Sequence, residues 1–359
     1  MKYQTLICLC VSALFSPLAT AEKVVNVYNW SDYIDPSVLD KFTQQTGIKV
    51  NYDVYGSNFE LEKKLQAGQS GYDVVMPSNH VFERQLKANF YQKIDKSKLE
   101  NIGNLDPVLL QQMEKYDPNN QYNVPYAWGT VGIGYNKAMI EERLGTQQID
   151  SWDVFFNPEV VSKLEDCGVT MLDAPADMLS LVNLYRGVYP NSEDEDELEK
   201  SIGLLNKIRP YIRSINSSSY IADLANGDIC LAIGYNGDVL QSQIQAEEVG
   251  IDINYVIPRE GAEMWFDVMA IPADAPNPDE ALAFIDFILQ PETSAAISNY
   301  VFYAMPNNAA EPFLDKSIAE NTGVYPPQDV KEKLYVQVSG SMDYYRTQSK
   351  AWIDFKNSH

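Results

Sequence analysis

Apolar and polar positions alternate between strand-like and helix-like stretches from residue 23 onward. Short apolar runs predict strands, and the stretches between them predict helices. The first helix has clear boundary signals, with Asp35 as N-cap, Pro36 at the first helical position and Gly47 at its end. The predicted order is strand 24–28, helix to Gly47, strand 48–54, helix 58–67 and strand 72–76. This order favours a parallel sheet with helices on both faces.

Two longer extended passages, 124–135 and 253–271, interrupt this alternation and are rich in glycine, proline and aromatic residues. An α/β block lies between them, with strands 169–172 and 229–233 and helices 179–185, 195–208 and 221–225. Two crossings around such a block predict two lobes joined by a two-stranded hinge, with a cleft between them that suits a ligand. The helix 278–289, with Asn277 as expected cap, then returns to the first lobe.

The predicted fold class is therefore α/β, with two lobes that each hold a mostly parallel sheet flanked by helices. We expect lobe 1 to contain residues 22–131 and about 262–310, and lobe 2 to contain residues 132–261 and about 311–359.

The first 21 residues have the pattern of a cleavable signal peptide. Lys2 supplies a positive start, an apolar stretch covers residues 6–15, and Ala19-Thr20-Ala21 is a small-x-small cleavage site. The sequence thus predicts that the mature chain is exported. Cleavage changes the net charge from −23 to −24, because Lys2 is the one charged residue removed.

The two cysteines that remain after cleavage are Cys167 and Cys230. An exported chain meets an oxidising compartment, so a disulfide between them is the economical interpretation. Two separate buried thiols are the alternative.

The strongly acidic balance excludes some partner classes and favours others. It argues against nucleic acid and against anionic membrane surfaces, and it favours cationic ligands through long-range attraction.

Histidine occurs only at positions 80 and 359, and the common hydrolase, nucleotide and zinc-protease motifs do not occur. Carboxylate-only catalysis stays open because the chain has 50 acidic residues. The usual parts of an enzyme are nevertheless missing, so a binding protein without cofactor or metal is favoured over an enzyme.

Carboxylates recur beside aromatic residues at the ends of predicted strands. The instances are Trp30-Ser31-Asp32-Tyr33, Asp177 after the turn 172–175, Tyr235 with Asp238, and Trp265 with Asp267. A carboxylate flanked by aromatic faces suits an organic cation, through ion pairing and cation–π attraction. Each instance alone could also be a helix cap or a core aromatic.

Over essentially its whole length the chain resembles the periplasmic polyamine-binding proteins of ABC importers. The similar segments are YNWSDYI at 28–34, GYDVVMPS at 71–78, LDAP at 172–175, ANGDICLAIGYNGDV at 225–239, WFDVMAIPADA at 265–275, VFYA at 301–304 and VYPP at 324–327. The resemblance implies two α/β lobes and a cysteine pair at Cys167 and Cys230. It also implies a polyamine ligand and a membrane partner, either an inner-membrane ABC permease or a membrane-bound sensor. We expect the receptor to be a monomer.

Transferred by position, the resemblance implies a set of ligand-binding residues. Aromatic rings would hold the methylene chain, and they are Trp30, Tyr33, Tyr235, Trp265 and Tyr303. Carboxylates would pair with the ammonium groups, and they are Asp32, Asp177, Asp238 and Asp267. Ser31 and Ser78 would add hydrogen bonds, and Gln337 would close one end.

Several positions depart from the putrescine-binding pattern. Tyr235 stands where putrescine binders usually carry Trp, and Asp177 replaces a usual Glu. Trp265 and Gln337 look like the spermidine-binding members, whereas Ser31 and Asp238 look like the putrescine-binding ones. The resemblance therefore implies a triamine, spermidine or norspermidine, with putrescine as the alternative. A sensor that reports polyamine, an enzyme on a cationic substrate, and a sugar or iron receptor are the competing functions.

Overall fold

The computed structural model describes residues 22–358, so the predicted signal peptide lies outside the described residues. Within residues 22–358 there are ten strands: β1 Val24–Trp30, β2 Lys49–Tyr55, β3 Val74–Val75, β4 Asn123–Asn136, β5 Val169–Met171, β6 Ser214–Ile215, β7 Leu231–Tyr235, β8 Ile253–Val256, β9 Ala262–Ala270 and β10 Leu334–Val336. In this part of the chain, no helix is both long and apolar enough to cross a membrane.

The first helices alternate with strands as the sequence predicts, and two or more helices separate several of the later strands. The α-helices are α1 Pro36–Thr46, α2 Asn58–Gln66, α3 Asn79–Lys87, α4 Pro107–Met113, α5 Lys137–Leu144, α6 Asp153–Phe156, α7 Pro158–Val161, α8 Pro175–Tyr185, α9 Glu195–Ile208, α10 Tyr220–Ala225, α11 Asn236–Glu248, α12 Pro278–Ile288, α13 Pro291–Val301, α14 Lys316–Ala319, α15 Gln328–Lys331 and α16 Met342–Asn357.

Helix α1 shows how local signals fix an element. The Asp35 side chain accepts a hydrogen bond from the Ser37 backbone N–H, Pro36 takes the first helical position, and Gly47 ends the helix with φ 71°. This left-handed conformation favours glycine. Asn277 takes the N-cap position of α12 as predicted, but its side chain makes no cap hydrogen bond, because its amide donates to Asp73 at 3.0 Å.

The strands follow the order β2-β1-β3-β9-β4-β7-β5-β6, with β10 paired to β9 and β8 paired to β4. The two ends of this array are parallel, since β1 runs parallel to β2 and β3, and β5 runs parallel to β6 and β7. The centre is antiparallel, since β4 opposes β7, β8 and β9. The expected parallel sheets therefore occur in both lobes, and an antiparallel centre makes the whole arrangement mixed.

Strand β4 joins the two halves of the molecule. Its first part, 123–130, pairs with β9, and its second part, 131–136, pairs with β7 and β8. All 14 residues of β4 are buried. The second predicted passage, 253–271, is two strands rather than one, because β8 and β9 are separated by a turn in which Gly261 has φ 105°.

The buried apolar side chains form two clusters, one within the first half and one that extends from the first half into the second. In the first half, Phe42 of α1 meets Phe284 and Phe287 of α12 with ring centroids 5.3 Å apart in both cases. In the second half, Trp152 and Phe156 belong to the other cluster. One cluster is thus shared by both halves, and the predicted lobe boundaries stay a prediction.

The disulfide between Cys167 and Cys230 is present, so that prediction is confirmed. The cysteines are 63 positions apart in sequence, and their Cα atoms are 5.5 Å apart. Cys167 precedes β5 and Cys230 directly precedes β7, and these two strands are parallel neighbours. Closing a loop of this length stabilises a fold by about 4 kcal/mol in the chain-entropy model.

Candidate functional site

Three partly buried aromatic side chains lie where the two apolar clusters meet. Trp30 at the end of β1, Tyr235 at the end of β7 and Trp265 in β9 each pack against both apolar clusters. The ends of parallel strands are the usual position of ligands in α/β folds. The boundary between the clusters is therefore the candidate site.

A row of edge-to-face rings runs along this boundary. The ring centroids of Tyr33 and Tyr303 are 5.5 Å apart, those of Tyr303 and Trp265 are 5.1 Å apart, and those of Trp265 and Tyr235 are 6.1 Å apart. The interplanar angles are 74°, 73° and 89°, respectively. Edge-to-face packing is a favoured arrangement of aromatic pairs, so the row is a rigid apolar wall.

Two glycines allow this close packing. A Cβ atom on Gly237 would lie 2.5 Å from the Tyr303 ring, and a Cβ on Gly129 would lie 2.5 Å from the Trp265 indole. Neither position has a positive φ, so the requirement is space rather than backbone conformation. Gly237 is at the start of α11 and thus brings that helix directly against the aromatic row.

Asp267 is the most deeply buried of the predicted carboxylates. It is 5% exposed and lies opposite Ser78 in an isolated antiparallel bridge between β9 and the start of α3. Burial raises the pKa of Asp267 to about 7. Its Oδ1 atom and the Tyr33 hydroxyl are both buried without a hydrogen-bond partner. A cation beside this carboxylate would replace the proton that burial favours.

Asp238 is held by two tyrosines. The hydroxyls of Tyr220 and Tyr303 each donate to one of its carboxylate oxygens at 2.7 Å. Burial raises the pKa of Asp238, and these two hydrogen bonds lower it in part. Asp238 therefore orients the Tyr303 ring in addition to supplying negative charge.

Asp177 lies in the first turn of α8 and is 7% exposed. Its Oδ2 accepts a hydrogen bond from the Tyr235 hydroxyl at 2.9 Å. Burial raises the pKa of Asp177, and the hydrogen bond from Tyr235 lowers it in part. A helix N-terminus favours negative charge, so Asp177 is placed to remain ionised beside a cation.

Glu263 is a fourth buried carboxylate, and the sequence analysis missed it. It is 2% exposed, and its Oε2 atom has no hydrogen-bond partner. Burial is the main cause that raises its pKa well above the usual range, and the neighbouring charge of Asp177 is the second. The spacing along β9 could have indicated Glu263, because side chains of a strand point to alternate faces and residues 263, 265 and 267 therefore share one face.

Several other polar atoms around the site are buried without partners. They include the Trp265 indole N–H and the Gln337 side-chain oxygen. The backbone oxygen of Gln337 accepts hydrogen bonds from Tyr116 at 2.6 Å and Asn79 at 3.2 Å, which fixes this residue in place. Buried polar groups without partners are rare in native proteins, so their concentration here points to a bound polar molecule.

In the segment 30–33, two residues are part of the buried site and two are exposed to solvent. The Trp30 indole N–H donates to the Met76 carbonyl at 2.9 Å, and its ring lies 4.7 Å from that of Tyr55. Ser31 and Asp32 are exposed in a turn where Asp32 has φ 53°. The structure thus brings Trp30 and Tyr33 together with the other residues, and leaves Ser31 and Asp32 outside the buried cluster.

His80 lies beside the site and does not act as a cation there. Its Nδ1 atom is buried without a hydrogen-bond partner. Burial is the main cause that lowers the pKa of His80 to about 4, and the charge of Arg84 adds to it.

Residues 37–326 match the family described as bacterial extracellular solute-binding protein. The chain is 45% identical to the putrescine-binding periplasmic protein SpuD of Pseudomonas aeruginosa, over 99% of this chain and 98% of the relative. It is 47% identical to the putrescine-binding periplasmic protein PotF of Escherichia coli, over 95% of this chain and 93% of the relative.

A solved structure agrees with these matches. The spermidine/putrescine ABC transporter substrate-binding protein PotD from Streptococcus pneumoniae superposes with a TM-score of 0.81 at 30% identity, covering 93% of this chain and 98% of that one. The resemblance deduced from the sequence segments is confirmed. The chain belongs to the bacterial extracellular solute-binding protein family.

Proposed function

We propose that this chain is a periplasmic receptor that binds a polyamine between its two lobes and presents it to an inner-membrane ABC permease. The observation that carries the proposal is the alternation of buried carboxylates with edge-to-face aromatic rings. Asp267, Asp238 and Asp177 are each largely buried by their surroundings, and burial raises the pKa of all three. Each therefore favours a cation as its neighbour.

The chemistry of a polyamine fits this arrangement. Its ammonium groups are separated by short methylene chains, so it needs separated negative charges with apolar surface between them. Burying an ammonium is costly unless it is paired and hydrogen-bonded. Rings such as Trp265 and Tyr303 can cover the methylene groups and contribute about 0.5–2 kcal/mol per cation–π contact. A sugar would leave the buried carboxylates without a charge partner.

The proposed roles follow the positions of the side chains. Asp177, Asp238 and Asp267 pair with ammonium groups, with Ser78 beside the last of these. Trp30, Tyr33, Tyr235, Trp265 and Tyr303 form the wall, and Gln337 closes one end. Ser31 and Asp32 are exposed and would meet the ligand from the rim.

The names of the relatives support the location and the membrane partner in this proposal. Two are putrescine-binding periplasmic proteins, and the third is the substrate-binding protein of a spermidine/putrescine ABC transporter. We propose for this chain a signal peptide at residues 1–21, a monomeric mature form, and lobes made of residues 22–131 with about 262–310 and of 132–261 with about 311–359. Strands β4 and β9 would then form the hinge.

The test is calorimetric titration of the mature protein with putrescine, cadaverine, norspermidine, spermidine and spermine. The neutral 1,4-butanediol serves as control for apolar contact alone. We expect saturable binding of at least one amine, no binding of the diol, and recovery of unchanged amine by mass spectrometry. A flat response to all five amines would refute the proposal, and conversion of the amine would indicate an enzyme.

A further inference from the structure

We propose that Glu263 and Asp177 together form an end subsite for one ammonium group, and that this subsite makes the receptor prefer triamines to diamines. This inference rests on the proposed function, and it concerns a residue that the predicted ligand set did not contain.

The position of Glu263 on β9 is the first observation. Glu263, Trp265 and Asp267 lie on one face of the strand, because side chains alternate between faces at every residue. On this face of the strand, Glu263 thus precedes Trp265 and Asp267 follows it. The four residue steps from Glu263 to Asp267 put their Cα atoms about 13 Å apart. Two carboxylates are therefore held far apart with an apolar ring between them.

The surroundings of Glu263 form a built cation site. Asp177 lies close enough for its charge to raise the pKa of Glu263. Tyr335 of β10 is paired in register with Glu263, and its hydroxyl lies 2.6 Å from that of Ser180. The Oε2 atom of Glu263 is buried and unpartnered, and so is the nearby Trp265 indole N–H. A polar atom of this kind needs a donor, which an ammonium group supplies.

The titratable groups around Glu263 carry no positive charge. They are Asp177 from α8, Tyr235 from β7, Tyr335 from β10 and Tyr116 from the segment before β4. Two neighbouring carboxylates in a buried site do not both ionise readily, so the pair retains a proton when no cation is present. A cation that enters between them displaces this proton.

The length of the ligand decides whether it reaches this subsite. Each bond of an extended chain advances about 1.2 Å, so the two nitrogens of putrescine are about 6 Å apart and the terminal nitrogens of spermidine about 11 Å apart. A diamine held at Asp267 therefore ends before Glu263. A triamine held there brings its far ammonium to the pair of Glu263 and Asp177.

The test compares putrescine with spermidine and norspermidine on wild-type protein and on Glu263→Gln. The substitution keeps the shape of the side chain and removes its charge. We expect the wild type to bind a triamine at least tenfold more tightly than putrescine. We expect Glu263→Gln to lose at least tenfold in triamine affinity and less than threefold in putrescine affinity. Glu199→Gln, which removes an exposed acid on α9, is the matched control and should change neither affinity.

A second measurement protects the test against misfolding of the variant. Titration in two buffers with different ionisation enthalpies counts the protons released on binding. At pH 6 the wild type should release more protons with spermidine than with putrescine, and Glu263→Gln should abolish this difference. An unchanged ratio of triamine to putrescine affinity, or equal proton release for both ligands in the wild type, overturns the inference and leaves polyamine binding intact. Failure of the wild type to bind any polyamine overturns the proposed function as well.

Discussion

Binding of putrescine should weaken as the pH falls from 8 to 6, because Asp267 must lose a proton before it can pair with an ammonium. Burial raises the pKa of this carboxyl to about 7 in the free protein. The ligand stays charged throughout, since alkyl ammonium groups have pKa values near 10. The protonation of Asp267 therefore competes directly with the ligand, and lower pH favours the proton.

The size of the effect follows from the pKa of Asp267. With a value of about 7, about ten in eleven molecules carry ionised Asp267 at pH 8 and about one in eleven at pH 6. The affinity for putrescine should thus fall about tenfold, which corresponds to about 1.4 kcal/mol. At pH 6, Asp267 alone should release about 0.9 proton for each molecule of putrescine bound.

Calorimetry at pH 6, 7 and 8, in two buffers at each pH, measures both quantities. Asp267→Asn should bind putrescine at least tenfold more weakly than the wild type at pH 8. Its remaining affinity should lack this pH dependence, because asparagine has no proton to lose. Glu199→Gln should behave like the wild type, since that carboxylate is exposed on α9. An affinity that stays within twofold from pH 8 to pH 6, with less than about 0.2 proton released, would refute the assignment of Asp267 as an ammonium partner.

Three further variants test the aromatic wall and the scaffold. Trp30→Ala should bind polyamine at least tenfold more weakly than the wild type, which corresponds to about 1.4 kcal/mol. Calorimetry measures this loss, and an affinity equal to that of the wild type would contradict the role of Trp30 in the wall. Gly237→Ala should reduce affinity by a similar factor, because its Cβ would lie 2.5 Å from the Tyr303 ring and must displace it; an undisturbed affinity would show that this ring does not touch ligand. Replacing both Cys167 and Cys230 by serine should lower the free energy of unfolding by about 2–4 kcal/mol in denaturant titration and leave affinity at low temperature unchanged. Equal stability of that double variant would contradict the role given to the disulfide.

The elements that the sequence predicts best are those with strong local signals. Helix α9 begins and ends at the predicted residues, because Asp194 caps it and acidic residues occupy its first turn. The second extended passage, 253–271, was predicted less well. Its division into β8 and β9 depends on pairing with β4 and β10. These strands are distant in sequence, so the local pattern of residues 253–271 does not predict the division.

The candidate site shows the same division between local and long-range information. Asp238 and Asp267 can be recognised in the sequence because each has an aromatic residue close to it along the chain. The partner that fixes Asp238 from the other side is Tyr220, which is 18 residues earlier and carries no motif. Glu263 was missed for a related reason: an isolated acid in a strand resembles a solvent-facing position until the structure shows that it is 2% exposed.

Charge selection and length selection have separate physical origins in this site. Burial of Asp267 raises its pKa, so an empty site holds a proton that only a cation can usefully replace, and this excludes neutral solutes whatever their length. The rigid row of rings then sets how far apart the negative positions lie, because Trp265 stands between Asp267 and Glu263 on one strand. A change at Glu263 should therefore alter which polyamine is preferred, whereas a change at Asp267 should weaken all of them.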